Sequence, residues 1–305
     1  MPLCTLLGII KKISLQMKKI LLGLFIAIGL TSCDLNDNTD MTTNCGVYEN
    51  MYFTSYPIDC NYTITSMPTT AGVLVVSSQE KMDSFFTPNA TPCTDTSIPS
   101  NIDFSTTMLV GIFAGPKSTT GYEIAISSIV ENDCEVVVQY YEKEPEEGTD
   151  TSATLNNPYD FVLIPKTTKS IYFNRVSEIN NYMVVGSFGS LPTQDLYSET
   201  DLNIMRYLNV PYGNFELNQF NFQSLTKKGN YTEFLKTVPA EILALNGQTK
   251  TYGAPNAADQ GGIYFQLIQN GVKTTVFFDT ADTADQSTEI IAFKKSLQER
   301  MASYE

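Results

Sequence analysis

The chain has no histidine and no tryptophan among its 305 residues. Without histidine there is no Ser-His-Asp or Cys-His nucleophilic machinery, no His-ligated zinc or iron, and no ordinary general base poised near neutral pH. Without tryptophan the largest aromatic platform of carbohydrate sites is missing, although tyrosine can stand in. No Cys-x-x-Cys pair occurs, which argues against zinc ribbons and thioredoxin-like chemistry. Basic clusters are scarce as well: after residue 33 the nearest are the pairs Lys227-Lys228 and Lys294-Lys295. With a formal net charge of −14, nucleic acid and anionic membrane surfaces are poor partners, since both need basic patches. The apolar run Ile20 to Leu30 is about 11 residues long, too short to span a bilayer.

That run is nevertheless informative. It follows Lys18-Lys19 and closes on Leu30-Thr31-Ser32-Cys33, an order of charge, apolar core and small residues that suits a secretory signal. The closing tetrapeptide resembles the lipobox of a bacterial lipoprotein. The resemblance implies cleavage before Cys33 and acylation there, with several acyl chains giving a stable anchor. Residues 1–32 are read as leader and signal, Met1 to Gln16 being an upstream extension ahead of Met17. This leader holds four lysines and no acid, so its loss takes the charge from −14 to −18. Residues 33–44, with Asp34, Asp37 and Asp40, read as an acidic tether, similar to the run behind the lipid cysteine in Bacteroidota-type exported lipoproteins. The expected location is the outer membrane, lipid-anchored, facing the periplasm or the surface.

The remainder is 42 % apolar and 17 % charged over the full chain, the composition of a globular protein. Its length makes two domains the expectation, 45–195 and 201–305. Seventeen tyrosines and 17 phenylalanines favour strands. Cys45, Cys60, Cys93 and Cys134 form an even set suited to an oxidising compartment. The shortest loops pair Cys45 with Cys60 and Cys93 with Cys134. Strands are expected over 72–77, 104–113, 122–130, 135–141, 160–164 and 170–173, with a helix at 78–86 capped by Ser77 or Ser78. In 122–130, Tyr122, Ile124, Ile126 and Ser128 should share one face. The second unit should hold helices at 230–235 and 240–245, then a hairpin of 262–268 with 273–278 turning at Asn270-Gly271. It should end in an amphipathic helix over 288–304 with Ile290, Ile291, Phe293, Leu297 and Met301 buried. The fold class is therefore α+β and β-rich: an antiparallel sheet or sandwich-like first domain with one short helix, then a small α+β domain.

Between the strands at 104–113 and 122–130 lies Gly115-Pro-Lys-Ser-Thr-Thr-Gly121-Tyr122. Gly115, Lys117, Thr119, Gly121 and Tyr122 match the Gly-x-Arg/Lys-Pro-Thr-Gly-Gly-Tyr loop of the PrcB C-terminal domain family, while Ser118 replaces its proline and Thr120 its first paired glycine. A Pro-Tyr strand ending in Pro-Lys recurs as Pro158-Tyr159 and Pro165-Lys166. Residues 72–176 thus resemble that family, which implies a non-catalytic β-rich binding or assembly module. Thr119-Thr120-Gly121-Tyr122 is also similar to a loop of chagasin-type cysteine-protease inhibitors. The loop 115–122, including Ser118, is the expected contact surface. A second candidate is the Gly/Pro-rich segment 251–262 with Asp259 and Gln260, since long ordered loops often carry function. Asp279, Asp282 and Asp285 do not have the spacing of an EF-hand calcium loop, and no metal or cofactor is expected.

These readings favour a non-enzymatic, lipid-anchored envelope protein that binds or scaffolds, with a protease-associated assembly subunit as the form that the family resemblance implies. Its partner would be an envelope or secreted protein, with membrane contact through the lipid alone and no nucleic acid. The alternatives are a chagasin-like protease inhibitor, or a hydrolase working through carboxylates or a Ser-Lys pair.

Overall fold

A computed structural model describes residues 44–145, 148, 151–189, 193–255 and 261–305. The first part of the described chain forms β1 (Glu49–Asn50), β2 (Thr54–Ser55), β3 (Tyr62–Ile64), β4 (Gly72–Val76), α1 (Gln79–Phe85) and β5 (Phe86–Pro88). It continues with β6 (Thr107–Phe113), β7 (Glu123–Glu131), β8 (Glu135–Lys143), β9 (Tyr159–Pro165) and β10 (Ser170–Arg175). The second part holds β11 (Tyr182–Phe188), β12 (Thr193–Glu199), β13 (Ile204–Pro211) and β14 (Phe222–Ser224). After α2 (Tyr231–Leu235) and α3 (Ala240–Leu243) come β15 (Thr249–Tyr252), β16 (Gly262–Gln269), β17 (Val272–Asp279) and α4 (Thr288–Ala302). The protein is a β-rich α+β fold. Residues 45–305 are one compact unit.

One eleven-stranded sheet runs through that unit in the order β15-β17-β16-β11-β12-β13-β14-β2-β9-β6-β4. A four-stranded sheet, β1-β7-β8-β10, covers one face of its first half, and β3-β5 form a separate pair. The apolar runs of β6 and β9 are continuous because both faces are covered. On one side Val110, Ile112 and Val162 meet Ile126, Val136 and Val138 of the smaller sheet. On the other, Leu109 and Phe161 meet Met82 of α1 and Tyr56. Ser78 caps α1 by accepting from Lys81 N at 3.2 Å. In β7 the expected alternation fails past Ile126, where a bulge shifts the register. Ile129 then joins Ile124 and Ile126 in the core, and Ser128 instead bonds Gln139 Oε1 at 2.6 Å. An extra residue in one strand reverses the faces beyond it.

In the second half, α2, α3 and α4 pack on one sheet face around Met183, Val185, Phe265, Phe278, Phe293 and Leu297. Asn270 and Gly271 have φ of 50° and 80°, the left-handed pair that a two-residue hairpin turn requires, and β16 and β17 pair as expected. The expected division at 195–201 overlaps the end of β12 and the start of the turn to β13, and these two strands are paired neighbours. β11 and β12 belong with the second half, because β11 pairs with β16 and Met183, Val185 and Tyr197 enter its core. The sheet's seam is β14 against β2, where Gln223 registers with Thr54.

The disulfide pairing differs from the expectation. Cys45 is bonded to Cys134 and Cys60 to Cys93, so the bridges are nested and not consecutive. The cause is strand pairing. β1 lies antiparallel to β7, and Asp133 N donates to Cys45 O at 3.0 Å, which brings the two ends of that pair together. Cys93 N donates to Cys60 O at 3.0 Å in the same way.

Candidate functional site

β6 and β9 are adjacent in the large sheet, yet the chain between them leaves that sheet, builds the β7–β8 hairpin of the smaller one and returns. The loop 115–122 is the outgoing crossover and residues 151–156 lie on the return. The two are tied together: Lys117 N donates to Asn156 O at 2.7 Å and Asn156 N to Lys117 O at 2.9 Å. Thr120 N donates to Ser152 O at 3.0 Å, and Ser152 N donates back to Thr120 Oγ1 at 2.9 Å. Gly115 is buried, with φ of 73°. A Cβ there would lie 2.7 Å from Ala71 N, so both the left-handed conformation and the close backbone approach call for glycine.

The Lys117 ammonium is not free for a partner. It pairs with Glu142 of β8, whose side chain is only 11 % exposed and also meets Arg175 of β10 at 3.4 Å. Its Nζ lies 5.1 Å from the Tyr122 ring centroid, a cation–π contact. Thr119, Thr120 and Tyr122 are half-buried; Pro116, Ser118 and Gly121 are the exposed positions. The loop therefore offers solvent its backbone and the Ser118 hydroxyl, while the lysine and Thr120 hold the crossover in place. Asp259 and Gln260 lie outside the described residues, as does Cys33.

Sequence reasoning missed Asp160. This carboxylate of β9 accepts from Ile126 N at 2.7 Å, at the bulge of β7. Burial pushes its pKa up to about 6, against the opposing backbone hydrogen bonds from Ile126 and Phe161. The signal was a lone acid opening the apolar run Asp160-Phe-Val-Leu-Ile.

A concave feature was also missed. Phe188, Tyr212, Phe215, Phe277, Thr251 and Pro255 line a cavity of about 260 Å³ on the sheet face opposite α4. Phe215 stacks on Tyr264 with centroids 4.1 Å apart and packs edge-on to Phe188 and Phe277. Thr251 and Pro255 come from the Gly/Pro-rich segment singled out in the sequence. Nearby, the three spaced aspartates are all engaged. Asp279 accepts from Ala254 N at 3.1 Å, Asp285 from Gly253 N at 2.9 Å, and Asp282 pairs with Lys294 at 2.9 Å.

The geometry defines a mainly antiparallel β-sheet protein, with parallel pairs only at β8–β10 and β15–β17 among the described residues, in which a hairpin is carried out of one sheet into another by two hydrogen-bonded crossovers. Residues 108–165, from β6 to the end of β9, match the family model described as PrcB C-terminal. No curated protein and no solved structure matches the chain.

Proposed function

We propose that the chain is a lipid-anchored protein of the cell envelope that binds or scaffolds another protein, as a subunit associated with a protease complex. The PrcB C-terminal match over 108–165 carries this reading, because it spans the whole crossover unit, loop 115–122 included. The lipobox-like Leu30-Thr31-Ser32-Cys33 supports the anchor, and the lack of histidine removes the commonest catalytic bases. The docking surface is the exposed backbone around Ser118, held by the Lys117–Asn156 bridge.

The test is capture of envelope proteins by the full chain and by Ser118→Arg. Ser118 is exposed, so this change should alter stability by no more than about 0.5 kcal/mol while removing a co-purifying partner. A partner set identical for both chains, or none above background, refutes the reading. Inhibition assays against papain-like proteases separate it from the chagasin-like alternative, and Cys33→Ala should abolish labelling by a fatty-acid analogue.

A further inference from the structure

β4 ends the eleven-stranded sheet. The neighbouring ladder fixes which of its backbone groups point outward. Ala114 N donates to Pro158 O at 2.9 Å and Lys166 N to Thr106 O at 2.7 Å, so even-numbered residues of β6 bond to β9 and odd-numbered ones bond to β4. β4 registers Gly72, Leu74 and Val76 against Phe113, Gly111 and Leu109. Those three residues therefore bond to β6, and Val73 and Val75 turn their N–H and C=O groups away from the sheet. Among the described residues nothing pairs with these four groups.

Exposed strand edges are normally blunted by brevity, charge, proline or a bulge. The other sheet ends show such devices: β1 has two residues, β15 has four and carries Lys250, and β10 carries Arg175. β4 has none of them. Its sequence is Gly-Val-Leu-Val-Val, the whole window 66–79 contains no charged residue, and Val73 is 51 % exposed.

We propose that this edge pairs with the β4 edge of a second copy, antiparallel about a two-fold axis at Leu74. In that register Val73 of each chain lies opposite Val75 of the other, and the pair exchanges both N–H···O bonds, four in all. The valines meet as β-branched cross-strand partners, which suits a sheet. The strand is thus complementary to itself. Charge favours the same place: two copies at −14 each repel one another, and an uncharged edge strand lets them meet without like-charge contact along the strand.

The test is the mass of the full chain, purified in a non-ionic detergent and measured by light scattering across a concentration series. The wild type should reach twice the monomer mass. Val73→Lys, at an exposed position, should give a monomer whose unfolding transition matches that of the wild type diluted until its dimer has dissociated. Val73→Pro removes one outward N–H, a change tolerated on an edge strand, and should do the same; if it does not fold, Val73→Lys decides. Val272→Lys, at a valine 45 % exposed elsewhere, should remain dimeric. A wild type that is monomeric at every concentration, a dimer that survives Val73→Lys, or one equally lost in Val272→Lys overturns the proposal.

Discussion

Asp160 shows how one side chain in the crossover unit sets a pH dependence. It is the single acid of β9, and burial lifts its pKa to about 6 from an unfolded value near 3.9. The folded state therefore holds the proton more tightly. The stability it contributes is complete below about pH 4 and is lost as pH rises through about 6, by roughly 2–3 kcal/mol. Asp160→Asn should remove that loss: denaturant midpoints of variant and wild type should converge near pH 4 and separate by pH 7, with the variant the more stable. Equal separation at both pH values would assign the effect to packing. Thr120 behaves differently. Its hydroxyl holds Ser152 N, so Thr120→Ala should cost about 0.5–1.5 kcal/mol, more than Ser118→Arg. The sequence displayed the loop's residue types but not this division of labour, because the return segment that engages Lys117 and Thr120 lies some 30 residues away in the chain.

At the scale of elements, local pattern was easy to read and partnership was not. The turn at Asn270-Gly271, the cap at Ser78 and the stripe of α4 follow from short-range chemistry. The bulge in β7 and both disulfides depend on which strands lie side by side, which periodicity does not encode. Peptide mapping without reduction should recover Cys45 linked to Cys134 and Cys60 linked to Cys93; recovery of a Cys45–Cys60 peptide would refute the register of β1 on β7. The stripe of α4 also hides a charge. Lys294 is 3 % exposed and its ammonium is met by Ala281 O at 2.8 Å, Asp282 Oδ1 at 2.9 Å and Gln286 Oε1 at 2.9 Å. It gathers the turn after β17 onto the helix. Lys294→Met keeps the stem and strands those acceptors. We expect a loss of about 1–3 kcal/mol in thermal or denaturant unfolding, with Lys295→Met, on the exposed side, near neutral.

For the whole molecule, the decisive region is the seam between the halves, where ladder pairing is thin and side chains reinforce it. Ser224 Oγ accepts from Phe53 N and Ser55 Oγ from Phe222 N, each at 2.8 Å. Asp95, on the loop tethered by Cys60–Cys93, reaches Asn209 and Asn221 of the second half at 2.9 Å each. Burial pushes the Asp95 carboxyl upward, but hydrogen bonds from Ser97, Asn209 and Asn221 more than offset this and hold it below the ordinary range. Its contribution is present above about pH 4 and lost as the pH falls further. Asp95→Ala should raise amide hydrogen exchange in β14 and β2 while leaving β16 and β17 unchanged; uniform acceleration would mean that the staple acts on global stability. The sequence suggested two units and the structure has two packed halves, but the shared sheet was not legible, since β2 and β14 are each three residues or fewer.

The nested bridges also bear on how the chain is made. A polypeptide emerges from the ribosome, or from a translocation pore, amino end first. Cys60 is the next thiol to emerge after Cys45, and it is the wrong one. The correct partner, Cys134, arrives only after the inner pair has both its members. A cell that oxidises this chain in strict order of appearance traps it, so efficient production calls for delayed oxidation or for a catalyst that reshuffles thiols.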